Sequence, residues 1–597
     1  MRSRREFQRP VAVALSCLFL ALGAVGTTTP ALAAQTPVLR IAQVAAPDSL
    51  NVFATFAAFY PMTWIYDMLG GVDAQRHHDR LGFAKSWSVS SDGLTWTFDI
   101  WPGLKWSDGQ PATADDVVFT YNYIRNSAGN PNELNTGWDN TAGFDVINSI
   151  NAVNNTTLTI TTKHPTTWPI DNTTFIVPRH VWQSISYADA RGPFKNPPPT
   201  VGTGPMVATA WQASQNYFQF KPNPYFRNGP PAWSEAVFQY YSSSDPMVQN
   251  LESGNLDYAF GVTPTQWSAL KGRNNIAVDK IRIEQQDYMA FNTTGGAGHG
   301  SSTALQDPAF RDAVGYAIDI SAIARRGYQG LAIPGDGPIV PVSRYYSDLK
   351  SIQRKFNLDT ARQKLDAAGY QLDSSNVRRD KQGKEIRLNM ITGTPSGMDE
   401  IPIAVVELVV GWLGQIGIPV AVTHLDSGAI YSKTSDTSTG GGGWDLAIAG
   451  RWYSPDPFTL LSIASGPAAG DNNVSYWSNP QYDSLVQQIS QTVDPASVQP
   501  LVNQASALVY QQAPYIFLDY PYFLGAYRTD HFSGWMSPEA ASMWSYAPWD
   551  RVKPLGAAAP ASSSATTAII VGLVIVVVVG IVIGVVLVRR RRGPIEE

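Results

Sequence analysis

After the Asp92-Gly93 turn, Leu94, Trp96, Phe98 and Ile100 alternate with Thr95, Thr97 and Asp99. A period of two belongs to a half-buried strand, so β-structure is expected across residues 83–106. The chain turns again at Asp108-Gly109, and the period changes. In TADDVVFTYNYI, Val117, Tyr121 and Ile124 share a helical face, Thr113 stands at the cap, and Asp115 and Asp116 favour the positive helix start. Further on, EIRLNMIT alternates as a strand. IAVVELVVGWLGQIGI places Val405, Leu408, Val409, Trp412 and Ile416 on one helix face, Gly417 stops it, and IPVAV resumes extended chain. WDLAIAG, Trp444 to Gly450, reads as a buried strand, and LDTARQKLDAAGY as a helix from Asp359 to Gly369. Strand–helix–strand order predicts an α/β fold with a mixed or parallel sheet.

Two apolar runs stand outside this pattern. Arg2, Arg4, Arg5 and Arg9 precede Val11 to Val25, and Ala31-Leu32-Ala33 follows. That order is a signal peptide over residues 1–33, with a mature start near Ala34. The only cysteine, Cys17, falls inside it, which leaves no disulfide, thiol nucleophile or cysteine metal ligand beyond. At the other end, Ala568 to Val588 carries no charge and would span roughly 31 Å as a helix. The expectation is a linker at 557–567, a C-terminal transmembrane helix at 568–588 and a cytoplasmic tail at 589–597, marked by Arg589 to Arg592. The long stretch between needs two or three lobes. A net charge of −5 without a basic stripe argues against nucleic acid as a partner.

The acids of the turn and helix, Asp108, Asp115 and Asp116, are read as scaffolding, since no histidine lies nearby in sequence to join them in a metal site. No P-loop, H-E-x-x-H or G-x-S-x-G stands in the chain. His77-His78 is the one histidine pair, in a polar stretch read as a surface loop. No catalytic residue, metal ligand or cofactor is therefore assigned, and the chain is not read as an enzyme.

SDGLTWTFDIWPGLKWSDGQPATADDVVF, VGTGPMVATAW with KPNPYF, DPAFRDAVGYAID after Phe291-Asn292-Thr293, and NPQYDSLVQQ occur in one order. Together they resemble the bacterial extracellular solute-binding proteins of family 5, over about residues 38–550. The resemblance implies a periplasmic-binding-protein type II-like fold: two α/β lobes, a hinge and a smaller inserted domain. Lobe I would comprise 38–77, 202–290 and 521–553, the insert 78–201, and lobe II 291–520. It also implies capture of a peptide or similar small solute by hinge closure, and an ABC transporter permease as partner to a monomer. An oligosaccharide ligand, or a membrane-tethered sensor, are the alternatives; a nickel or other metal complex ranks below them. Attachment to the cell membrane through the C-terminal helix departs from the family's habit.

In peptide-binding members, a segment like WDLAIAGRWYSPDPF brings a carboxylate to the peptide amine. Here Ser454 takes that place, with Arg451, Trp452 and Tyr453 beside it and Asp456 two residues on. A buried ammonium without a carboxylate is costly. Either Asp456 swings in, or the ligand has no free amine. Phe53 and Tyr60, in DSLNVFATFAAFYPMTWIYDML, are further candidate cleft residues, and Trp64 is read as part of a buried helix face.

Overall fold

A computed structural model describes residues 38–44, 49–54, 59–72, 78–79, 82–129, 134, 141–294, 302–394, 401–435, 442–452, 457–469, 472–535 and 551–555. The expected signal peptide, linker, transmembrane helix and tail lie outside the described residues.

Two sheets dominate. The larger has twelve strands. One half orders Val420–Leu425, Leu388–Gly393, Leu446–Trp452 and Gln285–Phe291; the other orders Tyr258–Phe260, Val38–Val44, Glu235–Tyr241, Tyr217–Pro222 and Met206–Gln212. The strand Tyr515–Arg528 belongs to both. Its first residues pair with Gln285–Phe291 and Ala332–Pro334, and its last with Ile276–Arg282 and Tyr258–Phe260. The chain crosses between the halves again at Ile283-Glu284, so two adjacent connections form a joint. Parallel pairs, such as Leu388–Gly393 with Val420–Leu425, need helical crossovers, and Ile403–Gln415 supplies that one. It buries Val405, Val409 and Trp412 as the spacing requires.

The smaller sheet orders Ala84–Val89, Thr95–Ile100, Thr157–Thr162 and Ile147–Asn154, all antiparallel. Trp96, Phe98 and Ile100 point into its core, the face fixed by the alternation. Helix Ala114–Arg125 covers it with Val117, Tyr121 and Ile124, each fully buried. Asp116 ties this region together. Its carboxylate accepts N–H bonds from Thr113 (2.8 Å), Arg179 (2.9 Å) and Trp106 Nε1 (3.4 Å). Asp108 accepts the Gln110 N–H at 3.0 Å and meets His180 Nε2 at 2.8 Å.

One part of the expected fold class is corrected. The C-terminal transmembrane helix is not supported: among the described residues no helix is long and apolar enough to cross a membrane. The longest described helix, Pro495–Gln512, has 18 residues and is interrupted by Gln499, Asn503 and Gln504. A bilayer asks for about 20 mostly apolar ones. Residues 568–588 themselves lie outside the described residues, and the fold class stands as the α/β architecture alone.

Candidate functional site

A crevice of about 970 Å³ lies between the end of the smaller sheet and the helices of 457–498. One wall follows strand Thr157–Thr162. Trp96 Nε1 donates to the Thr166 carbonyl at 3.1 Å, which pins the loop after the strand. Trp168 then packs edge-on against Phe144, with centroids 4.7 Å apart. Asp145, His164, Thr166, Trp168 and Asp171 thereby border the crevice.

The facing wall begins at helix Pro457–Leu461 and runs through the short turns Ser462–Ala464 and Gly466–Ala468. Asn473 fixes these turns. Its Nδ2 donates to the Ser465 and Trp477 carbonyls at 3.0 and 2.7 Å, while Tyr515 of the shared strand donates to its Oδ1 at 3.1 Å. Helix Pro480–Ser490 completes the wall. Asn479 caps it by accepting from the Gln481 and Tyr482 N–H groups, and the buried Tyr482 hydroxyl donates to Leu461 O at 2.6 Å. At one end the walls touch: a Cβ placed on Gly93 would stand 2.9 Å from Pro165 Cβ and 3.2 Å from Val493 Cγ2.

The residues expected from sequence fall differently. Arg451 is half-buried on strand Leu446–Trp452. Its guanidinium donates to the Asn472 carbonyl at 2.8 Å and to the Asn472 side chain, and it also bonds Tyr288. It thus braces Asn472, a crevice residue, from behind. Trp452 ends that strand and Tyr60 lies on helix Phe59–Ile65. Tyr453, Ser454 and Asp456 lie outside the described residues. Phe53 is corrected from cleft to core: it is 1% exposed and packs on Tyr123 and Trp182, because its chain is held down by Asn51, whose Nδ2 donates to the Ala190 and Phe194 carbonyls. Trp64, also 1% exposed, packs on Phe220, Trp233 and Phe238, as its helix face suggested.

Sequence reasoning missed most of the crevice. The stretch HPTTWPID shows no period and gave no signal. NPQYDSLVQQ was legible as a helix start, yet nothing in it tells which face meets a cavity.

Beside the joint, two carboxylates stand opposite each other in register, Asp287 and Asp519, both fully buried. The Tyr328 hydroxyl donates to Asp287. Burial, then the neighbouring Asp287 charge, pushes the Asp519 carboxyl well above the usual range, so the pair retains a proton. Gly450, across from Asp287, leaves the room this needs: a Cβ there would lie 2.6 Å from Asp287 Oδ1. Among the described residues no cluster of three or more His, Cys, Asp or Glu is arranged to hold a metal.

Comparison with known proteins gives concordant results. The model of bacterial extracellular solute-binding proteins, family 5 (middle), matches residues 80–472. The glutathione-binding protein GsiB of Pectobacterium atrosepticum is 26% identical over 73% of this chain and 79% of its own. The oligopeptide-binding protein AppA of Bacillus subtilis is 23% identical over 76% and 81%. Among solved structures, the substrate-binding protein CtaP of Listeria monocytogenes superposes with a TM-score of 0.73 at 18% identity, covering 87% of this chain and 99% of that one. AppA of Bacillus subtilis bound to a nonapeptide gives 0.70 at 20%, with coverage of 87% and 99%. These structural likenesses speak for the fold.

Proposed function

Since the chain belongs to the bacterial extracellular solute-binding proteins of family 5, we propose that it captures a short peptide in the crevice and delivers it to the permease of an ABC importer. The observation that carries this reading is the crevice itself. At about 970 Å³ it is at the upper end of small-molecule sites, ~300–1,000 Å³, and its two walls come from separate parts of the chain, the smaller-sheet region and residues 457–498. A guest touching both walls binds the closed arrangement better than the open one, which is the condition for closure to be driven by binding. GsiB and AppA bind peptides by their names, and both cover most of this chain.

In this reading residues 38–77, 202–290 and 521–553 form lobe I, 78–201 the insert and 291–520 lobe II. Residues 1–33 direct export, and no bond of the solute is altered. Arg451 positions Asn472, and Trp452, Tyr453, Ser454 and Asp456 are the solute contacts that the family resemblance implies. A thermal-shift screen of tetrapeptides and of oligosaccharides on the purified protein tests it. A tetrapeptide at a hundred times its Kd should raise stability by ~2.7 kcal/mol. A shift with oligosaccharides and none with peptides would refute the peptide reading.

A further inference from the structure

Resting on the crevice as the solute site, we propose that its guest carries a positive charge, an ammonium or guanidinium, set against Asp145 and Asp483 from opposite walls. Three carboxylates border the cavity, each on a different element: Asp145 on the turn Thr141–Val146, Asp171 on helix Trp168–Asp171, and Asp483 on helix Pro480–Ser490. Among the described residues no lysine or arginine borders it, and His164 is the one bordering side chain able to carry positive charge. Arg451 stands behind Asn472 and is engaged by it.

Asp483 is held ready. Its Oδ1 accepts the Gly466 N–H at 2.8 Å, while among the described residues Oδ2 has only the Ser478 hydroxyl at 3.5 Å. Gly466 leaves the space: a Cβ there would stand 2.6 Å from Ser478 Oγ and 2.9 Å from Asp483 Oδ2. A second observation points to a ligand independently of the acids. Ser465 borders the cavity, is 7% exposed, and its hydroxyl makes no hydrogen bond among the described residues. Phe458, 43% exposed, and Trp168 add aromatic faces that attract cations.

The electrostatics then select the guest. Closure expels water, and carboxylates left facing a neutral guest lose solvation without gaining a counter-charge. A guest carboxylate adds repulsion. A cation supplies charge-assisted hydrogen bonds to both walls and so favours closure.

Calorimetric titration of the purified protein tests this with acetylated, amidated tetrapeptides of three alanines and one lysine, glutamine or glutamate, and with spermidine as a non-peptide cation. The lysine peptide should bind at least tenfold more tightly than the glutamine peptide, and the glutamate peptide most weakly. Asp145→Asn should narrow the lysine preference at an unchanged melting temperature, because Asp145 is exposed; Asp115→Asn, away from the crevice, should not. Equal binding of the three peptides overturns the charge proposal and leaves the peptide reading intact. Binding of spermidine alone supports the charge proposal and removes the peptide reading. Binding of neither peptides nor spermidine overturns both.

Discussion

At the scale of single residues, the buried acids separate structural chemistry from solute chemistry. Asp279, 4% exposed, accepts the Tyr258 hydroxyl at 2.9 Å, and burial pushes its carboxyl up to about 6. A raised folded value means that folding favours the protonated form. Stability linked to Asp279 is therefore full below pH 4 and falls as pH rises through 6, by on the order of 3 kcal/mol. Asp279→Asn should flatten the wild-type loss of melting temperature between pH 4 and pH 7. Asp519 has the same sign, with burial and Asp287 as causes. Asp519→Asn should raise stability relative to wild type at alkaline pH, read by denaturant unfolding at pH 6 and pH 9. A larger loss for the variant at pH 9 would contradict the shared proton. Of these residues the sequence reveals little. Asp116 was readable because a capping position has a local pattern. Asp287 and Asp519 lie far apart in the chain, and only the register of the shared strand sets them face to face.

At the scale of elements, hydrophobic period carried the reading well. The strand Thr95–Ile100 and the helices Ala114–Arg125 and Ile403–Gln415 stand where spacing put them, because each buries one face and the period names that face. The helix expected to start at Asp359 runs Leu358–Ala367, capped instead by Asn357, whose side chain accepts the Thr360 N–H at 2.8 Å. Phe53 shows the limit. An aromatic beside a loop looks the same in sequence whether it faces a cleft or a core. The VGTGP stretch has its reason in close approach: a Cβ on Gly202 would lie 1.9 Å from the Ile65 carbonyl oxygen, and one on Gly204 2.4 Å from that of Trp64. Gly202→Ala must move backbone, and a loss of ~3 kcal/mol or more is expected in urea unfolding. A change under 1 kcal/mol would mean that the contact relaxes freely.

For the whole molecule, two connections beside Asp287 and Asp519 join the halves of one sheet, and the walls of the crevice meet at Gly93, Pro165 and Val493. That combination is what closure about a guest requires: a narrow joint, and a small apolar contact between the walls. The fold was legible through several long blocks in a fixed order; the crevice was not, since its walls are brought together only by tertiary packing. The most direct measurement is small-angle X-ray scattering of the purified protein, with and without a saturating tetrapeptide whose integrity is verified afterwards by mass spectrometry. The account predicts a smaller radius of gyration with bound peptide and recovery of the peptide intact. An unchanged radius with peptide bound, or a cleaved peptide, would contradict it.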